Sequence, residues 1–99
     1  GIPGILHQSW KDVKIPENML KYVKTWHHNM PSWDYRFWTD HDCRELVRLS
    51  RPSLLTMYDR YEMGVQRADL CRYLILETFG GVYFDLDFEA LRPIDSLLL

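Results

Sequence analysis

Apolar residues along this chain fall alternately into short runs and helical stripes. GIPGILHQSW opens with turn residues, gives a short apolar run at Ile5 and Leu6, and ends in polar His7 and Gln8. That pattern predicts a first strand with a loop at its carboxyl end. Pro16 followed by ENMLKYVKTWHHN sets Met19, Leu20, Val23 and Trp26 at helical spacing, with proline in the first turn and Met30-Pro31 as the stop. YRFWT, Tyr35 to Thr39, alternates aromatic and polar residues and predicts a second strand. Thr39 or Asp40 then caps a helix through DCRELVRLS, with Leu46, Val47 and Leu49 as its buried stripe and Arg51-Pro52 as its break. SLLTMYDRYEM predicts another short helix. After Gly64, the segment Val65 to Phe79 is apolar over most of a long helical surface and ends at Gly80-Gly81. Val82 to Leu86 is the last expected strand.

Strand, helix, strand, helices, helix, strand is the order of an α/β protein with a mostly parallel sheet. In such sheets ligands bind outside the carboxyl ends of the strands. Asp85 and Asp87 lie at one such end; His7, Gln8 and Trp10 lie at another.

Length and charge narrow the classes. The 99 residues, 46% of them hydrophobic, suffice for one core and one domain. A net charge of −2, with Lys and Arg scattered, lacks the field of a nucleic-acid binder, so no nucleic-acid partner is expected. No apolar stretch approaches the roughly 20 residues that span a bilayer, and no signal-peptide pattern opens the chain. A membrane anchor in a longer parent protein stays open. Cys43 and Cys71 form no C-x-x-C pair and have no histidines at zinc spacing, so they suggest no metal knuckle and leave the redox compartment open.

The candidate chemistry begins with YFDLD. Val82, Tyr83, Phe84, Leu86 and Phe88 read as a buried strand, yet Asp85 and Asp87 interrupt it. Two residues apart on a strand, their carboxylates share a face. Hard divalent cations favour such a pair; a hydrated sheet edge is the plainer alternative. The long helix holds the second anomaly, Asp69 and Arg72 three residues apart. They either form an internal ion pair or face a ligand. Arg67 adds a positive charge within reach of Glu62 or the terminal acids. If the helix packs antiparallel to the last strand, Asp69 and Arg72 return toward Asp85 and Asp87. Three carboxylates and a guanidinium then suit a phosphate with a divalent cation.

IPGILHQSW, WDYRFWTD and QRADLCRYLILETFGGVYFDLDFEALRPIDSLL, in that order, resemble the D-x-D-containing glycosyltransferases with a sugar-binding region. These include yeast-type mannosyltransferases and, more distantly, the glucosyltransferase domains of clostridial toxins. The resemblance implies an α/β, GT-A-like nucleotide-sugar-binding sheet, Rossmann-like with helices on both faces, with residues 1–99 as one donor-binding domain. It implies retaining transfer of a hexose from a nucleotide-diphosphate sugar, GDP-mannose or a UDP-hexose, to a glycan, glycolipid or protein acceptor. The implied cofactor is a divalent cation, manganese first and magnesium second. Asp87 is then the direct metal ligand, while Asp85 reaches the metal through water and bonds the donor ribose or sugar. Asp69 and Arg72 grip the sugar hydroxyls and phosphate, Tyr83 lies beside the nucleotide, and Trp10 stacks on the base or else packs as a core or lid residue. Asp85, Asp87 and Arg72 make up the implied catalytic set. Trp26, Trp33, Trp38, His27, His28 and His41 are left to packing or surface.

Family domains run longer, so the chain is expected to be a fragment or a minimal donor-binding half. Golgi lumen is the expected location for a eukaryotic, membrane-anchored parent, and cytoplasm for a bacterial one. Two rivals stand beside this reading: a nucleotide-sugar-binding module without turnover, and a metal-dependent phosphohydrolase.

Overall fold

The structure, a computed structural model, describes residues 4–90. Its elements follow the expected order: β1 (Ile5–Ser9), α1 (Glu17–Asn29), β2 (Asp34–Trp38), α2 (Asp40–Ser50), a 3-10 turn (Pro52–Leu54), α3 (Leu55–Arg60), α4 (Gly64–Phe79) and β3 (Val82–Tyr83). The sheet is parallel with order β2-β1-β3, so the first strand is its centre.

Alternation along the strands sends successive side chains to opposite faces. Leu6, Tyr35, Val82 and Phe84 meet Trp26 of α1 and Met30, which follows it, on one face. On the other, Trp38 and Tyr83 pack against Cys43, Leu46 and Val47 of α2 and Cys71, Leu74 and Ile75 of α4. Helices therefore cover both faces. A disulfide between Cys43 and Cys71 ties α2 to α4. It resolves the pairing that the bare sequence left open.

Local signals explain most boundaries. Thr39, rather than Asp40, caps α2: its hydroxyl accepts from the Asp42 amide, while the Asp42 carboxylate accepts from the Thr39 amide. Gly80 ends α4 at φ +69°, and Gly81 follows at +87°. A Cβ on Gly81 would stand 2.3 Å from the Ile5 carbonyl oxygen, so β3 approaches β1 this closely only through glycine.

Several expectations are corrected. His7 and Gln8 lie inside β1, fully buried, and not in a loop after it. Leu49 is 70% exposed, off the buried stripe of α2. The long helix is buried on one side only, leaving Val65 and Tyr73 in solvent. Its apolar composition exceeds what the elements packed on it cover. Arg67 donates to the Tyr61 carbonyl at 2.6 Å instead of meeting Glu62.

Candidate functional site

At the carboxyl end of β3 the chain leaves the sheet sooner than its apolar pattern suggests. The Phe84 amide still donates to the His7 carbonyl at 3.1 Å, but β3 itself is only Val82–Tyr83. Beyond it a turn forms, with the Phe88 amide donating to the Asp85 carbonyl at 3.1 Å. Asp85 and Asp87 therefore share a tight turn, and the same-face strand argument for them fails. The physical reason is that the Asp85 carbonyl is taken by the Phe88 amide and the Gln8 side chain, leaving it unavailable to a strand ladder. Phe88, expected to be buried, is 52% exposed.

Antiparallel packing of α4 on β3 delivers Arg72 to this turn. Its guanidinium donates to the Asp85 carboxylate at 2.7 Å and lies over the Tyr83 ring, 4.5 Å from the centroid. The Tyr83 hydroxyl hydrogen-bonds the Ser9 hydroxyl at the end of β1. Arg72, Tyr83 and Asp85, three of the expected site residues, thus form one contiguous cluster where strands β1 and β3 end.

The other three are not drawn into that cluster. Asp69, a turn earlier on α4, is exposed and makes no ion pair among the described residues; of the two readings the sequence leaves open for Asp69 and Arg72, the internal ion pair does not form, and Arg72 pairs with Asp85. Asp87 is exposed beside Asp85. Trp10 follows β1 with its amide on the Trp38 carbonyl at 3.0 Å, half-buried. Two donors in this region, Trp10 Nε1 and Arg72 Nε, are buried without a partner among the described residues.

Side chains that the sequence left unassigned hold the turn from beneath. Gln8 Nε2 donates to the Asp85 carbonyl at 3.2 Å and Gln8 Oε1 accepts from the Tyr35 hydroxyl at 2.9 Å. Burial pushes the Tyr35 phenol up to about 12. His7 Nε2 donates to the Gly80 carbonyl at 2.9 Å, and its Nδ1 accepts from Trp38 Nε1 at 3.1 Å. These partners fix the neutral tautomer. Burial lowers the His7 pKa from its ordinary value, with Arg36 adding to the effect and the Gly80 bond and Asp34 opposing it.

From α1, Trp26 Nε1 donates to the Phe88 carbonyl at 2.9 Å, and Thr25 and Asn29 bond the amide and carbonyl of Ala90. Trp26 also stacks on Phe84, centroids 4.4 Å apart. Polar residues at buried strand positions were the available signal for His7 and Gln8. No periodicity could have assigned Thr25, Trp26 or Asn29 to a loop some 60 residues away.

The donor set bears on a metal. Among the described residues no three His, Cys, Asp or Glu side chains gather into a cage. Two exposed carboxylates in one turn fit a cation that completes its shell with phosphate oxygens and water, the usual mode for magnesium-like ions. A hollow of about 540 Å³ lies elsewhere, between β2 and α2, lined by Arg36, Trp38, Leu49 and Phe79 among others; none of Arg72, Tyr83 or Asp85 borders it.

A parallel sheet covered on both faces, with Arg72, Tyr83 and Asp85 clustered at its carboxyl end, defines an α/β protein. Residues 16–99 match the family model described as the glycosyltransferase sugar-binding region containing a DXD motif, and the chain belongs to that family. It is 42% identical over 97 residues to inositol phosphoceramide mannosyltransferase 3 of Schizosaccharomyces pombe, covering 98% of this chain and 27% of that protein. Mannosyl phosphorylinositol ceramide synthase SUR1 of Saccharomyces cerevisiae is 37% identical over 97 residues, 98% of this chain and 25% of that one. The initiation-specific alpha-1,6-mannosyltransferase of Candida albicans is 32% identical over 101 residues, 95% of this chain and 26% of that one. The chain thus spans about a quarter of the length of these relatives. No solved structure matches it significantly. Among the described residues no helix is long and apolar enough to cross a membrane.

Proposed function

We propose that this chain forms the donor-binding part of a glycosyltransferase that moves a hexose from a nucleotide-diphosphate sugar to an acceptor with retention of configuration. The observation that carries the reading is the Arg72 guanidinium held between the Asp85 carboxylate and the Tyr83 ring at the carboxyl end of the sheet. Its charge is fixed in place where a diphosphate leaving group develops negative charge, which is electrostatic preorganisation. Asp85 serves two partners in this account, orienting Arg72 and accepting from donor hydroxyls. Asp87 and Asp85 are the residues that would hold a divalent cation, manganese first and magnesium second. When bound, such an ion neutralises diphosphate charge as a Lewis acid.

Asp69, exposed and unpaired among the described residues on the same helix as Arg72, is free to bind sugar hydroxyls. Tyr83 lies beside the nucleotide, and Trp10 offers the aromatic face for its base. The names of the relatives favour a mannose donor, hence GDP-mannose before a UDP-hexose, and an inositol-phosphate glycolipid acceptor. They also favour transfer over the phosphohydrolase rival. The Cys43–Cys71 disulfide suits an oxidising compartment such as the secretory lumen.

Calorimetric titration of GDP-mannose, UDP-glucose and GDP, each with and without manganese, tests the reading. Manganese-dependent binding of the diphosphates is expected, with GDP-mannose preferred. Binding of simple phosphate esters with release of phosphate, and no response to nucleotide, would replace it with the hydrolase.

A further inference from the structure

His7 and Gln8 are buried polar neighbours in the central strand, both 0% exposed. Consecutive strand residues face opposite ways, yet each reaches toward the segment around β3. His7 holds the Gly80 carbonyl before β3, and Gln8 holds the Asp85 carbonyl after it. An apolar side chain would fill position 8 as Leu6 fills position 6 on the same face. A buried amide costs desolvation and is tolerated only when its hydrogen bonds are made.

The geometry points to Gln8 as a positioning residue for donor binding: its amide pins the Asp85 main chain from the neighbouring strand β1 and so aims the Asp85 carboxylate at Arg72 and the donor. This rests on the donor-site reading above. A carbonyl oxygen only accepts, so Nε2 must face Asp85 and Oε1 must face Tyr35, whose hydroxyl donates. The phenol, pushed up to about 12, keeps its proton throughout the neutral range. Hydrogen bonds therefore run across the sheet from Tyr35 on β2 through Gln8 on β1 to the turn after β3. The Asp85 side chain is exposed and its carboxylate is met by one arginine. Its main chain has more support, from Gln8 within the sheet and Phe88 across the turn.

The test uses the whole chain and two readouts, one of which needs no ligand. The Phe88 amide donates to the same Asp85 oxygen, so its hydrogen exchange reports on the turn. In Gln8→Met, of similar volume without the amide, Phe88 exchange should quicken at least about tenfold beyond any change at the Arg51 amide, which closes α2 by donating to the Val47 carbonyl. Affinity for GDP with manganese should fall about tenfold or more. Leu6→Val, a packing change on the same face of β1 with no bond to the turn, should leave that affinity within about twofold.

Unchanged Phe88 exchange in Gln8→Met overturns the proposal, as does faster exchange with undiminished affinity. Equal loss of affinity in Leu6→Val assigns the effect to packing and overturns it too. If the parent chain binds no nucleotide with manganese, the donor-site reading fails, and with it the role in donor binding; the Phe88 readout still separates that failure from failure of the Gln8–Asp85 contact. Should Gln8→Met not fold, scalar coupling between Gln8 Nε2 and the Asp85 carbonyl carbon decides in the parent: its presence supports the pinning contact, and its absence sinks it.

Discussion

Arg72 of α4 donates to the Asp85 carboxylate at 2.7 Å, joining the middle of a helix to the turn that follows the last strand. The pair is partly exposed, 41% and 51% at the side chains, so it does little for stability. Exposed ion pairs contribute about 0 to 1 kcal/mol. Arg72→Ala should therefore unfold within about 1 kcal/mol of the parent in urea while losing most of its affinity for nucleotide diphosphate. Arg72→Lys keeps the charge but gives up the planar stack on Tyr83, and should recover only part of that affinity. A large drop in stability with binding intact would make the pair structural.

Asp69 offers a cleaner separation of site from fold. It is exposed and unpaired among the described residues, so Asp69→Ala should change stability by less than about 0.5 kcal/mol. The expected loss is discrimination between GDP-mannose and GDP, measured as the ratio of their affinities. An unchanged ratio removes Asp69 from the site.

His7 gives the fold a pH dependence of known sign. Its pKa is lowered in the folded state by burial, so the unfolded chain binds more protons as pH falls below the ordinary value of 6.5. The stabilisation is complete above pH 6.5 and is lost as pH falls through the lowered folded-state value, at up to about 1.4 kcal/mol per pH unit. Urea midpoints measured between pH 7 and pH 5 should decline in the parent and decline less in His7→Gln. Nitrogen chemical shifts should report the neutral tautomer, protonated at Nε2, at pH 6.5. A charged ring at that pH contradicts the Trp38 hydrogen bond.

The Cys43–Cys71 disulfide closes a loop with a sequence separation of 28. Chain-entropy bookkeeping gives about 3.5 kcal/mol for a loop of that length. Reduction, or the Cys43→Ser, Cys71→Ser double variant, should lower unfolding free energy by about that amount, read from urea curves under oxidising and reducing conditions. Identical curves, with the reduced state verified by mass, would show that packing between α2 and α4 suffices without the bond.

The elements were legible in the sequence because the caps and breakers are strong. Pro16, Thr39, Gly80 and Gly81 stand where helices begin or end. The approach of Arg72 to Asp85 was also legible, since a glycine pair between helix and strand returns the helix antiparallel to the strand. What the residues could not reveal is that the Asp85 carbonyl would be taken by a glutamine from β1, turning an apparent strand into a turn. That contact has a sequence separation of 77, and local pattern carries no information about it. The partner of Arg72 has a similar origin: spacing of three on a helix leaves a pair with Asp69 open, and tertiary packing supplies Asp85 instead. Leu49 and Phe88 belong to apolar stripes, which mark what a chain can cover, and the described structure leaves both exposed.

The claim that the Asp85–Asp87 turn holds a divalent cation for a nucleotide diphosphate is tested most directly by calorimetry with GDP and manganese on the parent, Asp87→Asn and Asp85→Asn. Both carboxylates are exposed, so neither substitution should unfold the chain. Manganese-dependent binding is expected in the parent, none in Asp87→Asn, and weakened binding in Asp85→Asn, which also loses the charge that orients Arg72. Equal affinity in all three proteins would contradict the account.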